Sequence, residues 1–555
     1  MRLNPQHLTV AELLEGRLFR IPDYQRAYSW DIKQRKDLFD DIKEAQSTGR
    51  EHFMATVVAL FKEEETIRGK KFKAVELVDG QQRLTTIIIL LKAIEKRLDP
   101  NDPSQEILKE NLQKLLIKGD QYSPILLQTN HDSSNIFKDY LHSKEQKTNT
   151  AKIDSEKNLL NAIRECDEFV DVPTKNKSLV NLLKTLMDKF SMIYHELSDE
   201  SIVYRVFEVL NSRGLEVKWI DKLKSQLMAG LFECTDQGTR ERSLHELKII
   251  WKDIYATLEL NIELGNTALC FAGTFKSENT ENRIISQEAA VSELIKSTEK
   301  QIREIVNVGT YLLSLIKTIK KIEDNSRIRA VTSIGHAKFV AVAISLRGFD
   351  DATTKTIMSV WERTTFRIFG LGKADSRHKV GDYVRLGCYI VKDKPKPEDI
   401  ILQLKEIGKD YSINKITLNN DENYYNDRPE RLRYILYRYD EYLAKQAGER
   451  MNEDQWNKIW ADTPSRSIEH ITPQSSGKSY IHYLGNLIML PGGINSSLKD
   501  NPPEQKAQTY LECGLKATAA VGLAIQSGKI WDEKAVEDRT ERIKEFIKTE
   551  WADKD

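Results

Sequence analysis

The sequence has few cysteines, no long apolar run, no net charge and no fixed-period repeat. Cys166, Cys234, Cys270, Cys388 and Cys513 are scattered without a CxxC pair, which argues against a disulfide framework and against a zinc ribbon. No stretch of about 18 uncharged apolar residues occurs. The opening MRLNPQHLTV also lacks the apolar core of a signal peptide, so a cytoplasmic protein with no membrane partner is expected. The 84 basic residues balance the 84 acidic ones. Phosphate neutralisation drives nucleic-acid affinity, so this balance argues against tight, constitutive, nonspecific DNA binding but leaves room for a local basic groove. The missing repeat sets aside a solenoid. What the chain does have is length. With 555 residues, 40% hydrophobic and 30% charged, it exceeds one ordinary core, and two to four domains in a helix-rich protein are expected.

The first hundred residues mix helix and strand signals. Residues 8–17 read as a short helix, FRIPDYQRAYSW as extended chain, and residues 31–45 as a helix with Leu38, Phe39 and Ile42 on one face. FMATVVALF (53–61) and FKAVELV (72–78) read as strands with a charged connection, and helical spacing runs from Leu84 to Leu98. Residues 101–200 read as mainly helical, residues 201–232 as a strand or helix, a turn and a helix capped near Asp221, and residues 240–392 as a helical array. KDKPKPEDI (392–400) and NNDENYYNDRPE (419–430) are the most linker-like stretches. The expected domains are residues 1–235, a helical middle of 236–445, and 446–555.

In the last of these, SIEHITPQ (467–474) places Glu469 beside His470, and LGNLIML (484–490) follows with Asn486 opening a short apolar strand. A Pro491-Gly492-Gly493 turn then leads to Asn495 at a helix start, so the order is strand, strand, helix. That order suits a single-metal phosphodiesterase. A neutral histidine activates water, and a hard Mg²⁺ or Mn²⁺ ion accepts oxygen from a carboxylate and an asparagine amide. Neighbouring residues on a strand point to opposite faces, so Glu469 and His470 meet at one site only if the strand ends there.

Three strings stand out nearer the N-terminus. ELVDGQQRLTTI (76–87) reads as a strand, an Asp79-Gly80 turn and a helix beginning Gln81, Gln82, Arg83. A helix start after glycine offers free N–H groups to an anion, Arg83 adds a bidentate phosphate donor, and the glutamines can bond a base or sugar. An ordinary strand–helix turn has the same look. GxxxxGK[ST] is absent, so this is not a Walker loop. IPDYQRAYSW (21–30) offers Tyr24, Gln25, Arg26 and Trp30 either to a base or DNA strand or as an aromatic anchor for the N-terminal arm. FEVLNSRGLEVKWIDKLKSQL (207–227) places Asn211 and Arg213 in a turn, with Asp221 and Lys224 on the next helix.

EHITPQS, LGNLIML and Asn495 together resemble the HNH (ββα-metal) nuclease fold. The resemblance implies that His470 is the general base, that Glu469 and Asn495 are metal ligands, and that Asn486 tethers the loop. The family commonly has Asp where Glu469 stands and often His where Asn495 stands. His482 and Lys506 fall where related nucleases carry His and Lys. The three N-terminal strings resemble the N-terminal domain of GmrSD-type restriction proteins, which is similar to the ParB/sulfiredoxin fold and is paired in that family with a C-terminal HNH domain. One departure is Ala55, where the family usually has glycine.

The fold implied is α+β and predominantly helical: a ParB/sulfiredoxin-like N-terminal domain, a helical middle and a C-terminal HNH nuclease domain. The function implied is an NTP-regulated (GTP or ATP), modification-dependent type IV endonuclease of anti-phage defence. It would bind NTP at Asp79, Gly80, Gln81, Gln82, Arg83, Asn211 and Arg213, and sense modified double-stranded DNA, phage or phosphorothioated, through Tyr24, Gln25, Arg26 and Trp30. Two rivals are a nucleotide-gated DNA-binding switch with an inactive HNH domain and an RNA-directed nuclease. Oligomeric state is open, a homo-oligomer included.

Overall fold

A computed structural model of the chain describes residues 5–22, 24–118, 125–128, 133–143, 154–171, 179–200, 218–233, 237–259, 261–278, 282–325, 328, 331, 333–420 and 422–553. The chain forms two compact units, one of residues 1–276 with 286–317 and one of residues 277–285 with 318–555. The expected boundaries at 235 and 445 do not coincide with this division.

The first unit carries β1 (Gln6–Thr9), β2 (Arg17–Ile21), β3 (His52–Ile67), β4 (Lys70–Asp79), β5 (Leu126–Gln128) and β6 (Phe190–Leu197). They form one mixed sheet in the order β1-β6-β3-β4-β2-β5. β3 and β4 make an antiparallel hairpin, while β2 runs parallel to both β4 and β5. The hairpin turns on Arg68 and Gly69, both at positive φ (49° and 78°), the two-residue turn whose twist matches its strands. The strands therefore continue through charged residues that the sequence reading took for a connection. Against the sheet lie α1 (Val10–Leu14), α2 (Ile32–Thr48), α3 (Gln81–Arg97) and α4 (Pro103–Leu116). The α2 helix starts where it should: Asp31 caps it, accepting from the Lys33 N–H in a capping box with Gln34. α3 is buried on nearly every side, so Leu84, Ile87, Ile88, Leu91 and Ile94 form a central core helix beside Val57, Val75 and Leu77.

Two local readings are corrected. Residues 8–17 open as β1 and become α1 only at Val10, with Thr9 as the N-cap. Residues 190–197, expected to be helical, form β6, which pairs with β1 on one side and β3 on the other. Phe190, Met192 and Tyr194 bury alternate positions there, so tertiary pairing overrides a weak local signal.

The second unit is mainly helical, with one small antiparallel pair, β7 (Ile468–His470) and β8 (Leu487–Met489). Its helix Pro429–Gln446 ends at the expected boundary and is a core element. Glu362 accepts from the Tyr434 hydroxyl at 2.6 Å and the Trp551 indole at 3.1 Å, and pairs with Arg438 at 3.0 Å. Asp440 accepts from the Ala517 N–H at 2.7 Å and the Trp456 indole at 3.0 Å. Among the described residues no helix is long and apolar enough to cross a membrane.

Candidate functional site

In the second unit, β7 pairs with β8 so that Ile468 faces Met489 and His470 faces Leu487, and the helix Gly492–Leu498 follows directly. The strand–strand–helix order is present. Asn486 ties the intervening loop: its Oδ1 accepts from the Thr472 N–H at 2.9 Å, while Nδ2 donates to the Thr472 and Ile481 carbonyls at 3.0 and 2.9 Å. Gly485 lies against the helix Glu533–Glu550, where a Cβ would collide with the Val536 carbonyl and the Thr540 side chain. The buried Arg539 donates to the carbonyls of Leu484, Gly485 and Leu487. Each letter of the Leu-Gly-Asn string therefore has a packing reason. Gly485→Ala is expected to destabilise the second unit by about 1–3 kcal/mol or more through overpacking. Thermal unfolding checks this, and an unchanged midpoint would refute it.

His470 is buried at the end of β7. Its Nε2 lies 3.1 Å from His482 Nδ1, its Nδ1 lies 3.2 Å from Gln474 Nε2, and the Tyr425 ring meets it edge-on with centroids 4.6 Å apart. Tyr425 also stacks on His482 at 5.5 Å. Burial, then the neighbouring His482 and Lys506, push the His470 imidazole down to about 3. The ring is neutral at physiological pH, and because the Gln474 amide nitrogen can only donate, Nδ1 accepts from it while Nε2 carries the proton toward His482.

Glu469 takes the other face, as strand alternation requires. Its Oε1 accepts from Lys506 Nζ at 2.7 Å and from the Tyr510 hydroxyl at 2.8 Å inside the core. Lys506 also donates to the His470 carbonyl at 2.9 Å. Asn495 commits its Nδ2 to the carbonyls of Arg466 and Ile468, at 2.9 and 3.1 Å, leaving only Oδ1 as a donor atom for a cation. Glu469 is a buried strut and Asn495 a backbone tie, so as placed the two do not form a ligand pair that fits a Mg²⁺ or Mn²⁺ ion. Among the described residues no group of three or more His, Cys, Asp or Glu side chains is placed to hold a metal.

The second cluster lies in the first unit. β4 ends at Asp79, Gly80 turns at φ +91°, and α3 starts at Gln81. A Cβ on Gly80 would come within 2.9 Å of Val57 Cγ2, so only glycine fits there without movement. Gln81 Nε2 donates to the Arg26 carbonyl at 3.3 Å, while Gln82 accepts from the Ser29 N–H at 2.7 Å and donates to the Ala27 carbonyl at 3.2 Å. The glutamines staple the 26–29 segment and are not turned outward as base or sugar contacts. Tyr24 and Gln25 are buried, and Trp30 packs on the core. Gln25 donates to the Val78 carbonyl at 3.2 Å. As placed, these three residues anchor the segment and do not present their side chains to a DNA strand.

The helix Trp219–Leu231 adds the charged partners. Lys224 Nζ donates to Gln25 Oε1 at 3.3 Å, and Tyr255 donates its hydroxyl to Asp221. Burial pushes Lys224 and Lys218 each down to about 8, with Asp221 and Arg26 acting on both. Burial raises the Asp79 carboxyl against the pull of Arg83 and Arg26. Among the described residues, four cations (Arg26, Arg83, Lys218, Lys224) and two carboxylates (Asp79, Asp221) thus act on one another beside a helix N-terminus. Gln81 Oε1 is buried with no hydrogen-bond partner among the described residues. Asn211 and Arg213 lie outside the described residues.

Comparison with known families matches residues 10–228 to the N-terminal domain of the GmrSD restriction endonucleases and residues 409–546 to their C-terminal domain. The chain belongs to the GmrSD restriction endonuclease family. No curated protein matches it. As a GmrSD protein the chain is a restriction endonuclease acting on DNA. The GmrSD C-terminal region begins at 409, ahead of the expected domain start at 446. It takes in Tyr425, which sequence reasoning missed by placing it in a linker. Tyr510 and Lys218 were missed as well. No local motif marks any of them, because each reaches its site only through the fold.

Proposed function

We propose that the chain is an NTP-regulated, modification-dependent DNA endonuclease of anti-phage defence, cutting phosphodiesters at an HNH-type site. The observation that carries this reading is His470: buried, neutral and bonded to His482 at the end of β7 in a strand–strand–helix finger. In the proposed reaction the Gln474 amide gives way to the attacking water at Nδ1, where His470 takes its proton, while His482 holds the ring through Nε2 and Tyr425 walls one side. GTP or ATP is proposed to bind where Arg83 and Arg26 act on Asp79, beside Lys218 and Lys224 at Asp221, with phosphates at the start of α3.

The test is plasmid cleavage with modified and unmodified DNA, with and without GTP or ATP. Cleavage confined to modified DNA and altered by nucleotide supports the reading. Arg83→Ala is expected to lower NTP hydrolysis by at least about tenfold, the loss of one charge-assisted phosphate contact. Equal cutting of all substrates, indifferent to nucleotide, would overturn the regulatory part. A second reading, a nucleotide-gated DNA-binding switch with an inactive HNH domain, is favoured by the commitment of Glu469 to Lys506 and Tyr510. Its mark would be nucleotide-dependent DNA binding without nicking in Mg²⁺ or Mn²⁺.

A further inference from the structure

The tip of the β3–β4 hairpin, at the opposite end of β4 from Asp79, borders a cleft of about 640 Å³. At roughly 3.3 Å per residue, the ten residues of β4 separate that tip from the Asp79–Arg83 cluster by about 30 Å. Arg68, Lys70 and Lys71 of the hairpin and Lys114 and Lys118 at the end of α4 line the cleft, and Glu15 is the one carboxylate among the described lining residues. Five cations to one acid do not follow from composition, because the whole chain balances 84 against 84. Nor are these charges spent internally. Among the described residues, Arg68, Lys70 and Lys118 make no ion pair, while Lys71 and Lys114 pair only with the exposed Glu64 and Glu110, contacts readily exchanged for a phosphate.

Lys118 Nζ lies 5.5 Å from the Phe72 ring centroid. Burial, reinforced by Lys70, pulls its ammonium down to about 8 against the pull of Glu15. A partly desolvated ammonium of this kind gains when an anion enters. The ring beneath it is buried and presents no stacking face, so the cleft is built to meet charge and not bases.

We propose that this cleft is a second anion site, which takes the sugar-phosphate backbone of the DNA substrate without reading sequence or modification. It rests on DNA being the substrate. The test is the full-length triple variant Arg68→Gln, Lys70→Gln, Lys118→Gln, with duplex binding followed by fluorescence anisotropy from about 50 to 200 mM salt. Modified and unmodified duplexes should both bind more weakly. The slope of log affinity against log salt should become less steep by about 2–3, near 0.9 for each phosphate contact removed. NTP hydrolysis and the melting temperature should stay unchanged. If the triple variant melts early, Arg68→Gln alone, on the exposed turn, should still change the slope by about 0.9. An unchanged slope in a parent that binds DNA overturns this site and leaves the restriction reading intact. Loss of nucleotide binding with DNA binding untouched also overturns it, assigning the cleft to a free nucleotide. A parent with no affinity for DNA removes both.

Discussion

Replacement of His470 by alanine is expected to abolish DNA cleavage, a loss of about 10²–10⁴-fold or more, while NTP hydrolysis by the first unit continues. The argument rests on protonation state as well as position. An imidazole held down to about 3 stays unprotonated where an ordinary histidine, at 6.5, would be titrating. The acid limb of kcat/KM should therefore fall well below 6.5. Stability moves in the same direction. The unfolded chain binds a proton at His470 near pH 6.5 and the folded chain does not until about 3, so this residue stabilises the fold above 6.5 and that contribution is lost as pH falls through the window between the two values. Cleavage by His470→Ala at the parental rate would remove the residue from the chemistry. A parental acid limb at 6.5 would show instead that the ring is hydrated in solution.

The second large effect is expected at Glu469 and Lys506. Either single substitution, Glu469→Gln or Lys506→Met, leaves one buried partner without its counterpart and should cost about 3–5 kcal/mol. The double substitution should recover much of that loss, since both desolvated charges go together, giving a coupling energy in a double-mutant cycle. Were Glu469 a metal ligand, Glu469→Gln would weaken divalent-ion dependence and leave stability nearly untouched. Chemical denaturation of the four proteins, with a Mg²⁺ titration of cleavage, separates the two cases. A Glu469→Gln variant as stable as the parent would sink the strut assignment.

These two residues also show where the sequence was readable. The Glu-His-Ile-Thr-Pro-Gln and Leu-Gly-Asn strings located the finger and its element order, but the expected Pro491-Gly492-Gly493 turn is corrected: the helix already starts at Gly492 behind Pro491, with no side-chain cap, and Asn495 lies inside it. Strand alternation already placed Glu469 and His470 on opposite faces. What the strings could not give was the partner that each face meets, since Lys506 and Tyr510 come from a later helix and Tyr425 from an earlier one. In the first unit the Asp-Gly turn and α3 were legible from the Asp79-Gly80 string and the helical spacing of Leu84 to Leu98. The inward direction of Tyr24, Gln25, Gln81 and Gln82 was not, because polar side chains that staple a loop look the same in sequence as side chains that greet a ligand. The strand β6 escaped because its identity depends on neighbours from both ends of the first two hundred residues.

The support of Gly485 by the helix Glu533–Glu550 sets an order of events during synthesis. The loop that carries Asn486 has no backing until Arg539 and Thr540 have left the ribosome, so the nascent finger is incomplete long after His470 has emerged. Domains made first fold first. The sheet of the first unit can therefore form on the growing chain before the finger is complete, so a chain still being translated, or one truncated ahead of residue 533, carries an Asn486 loop without its backing.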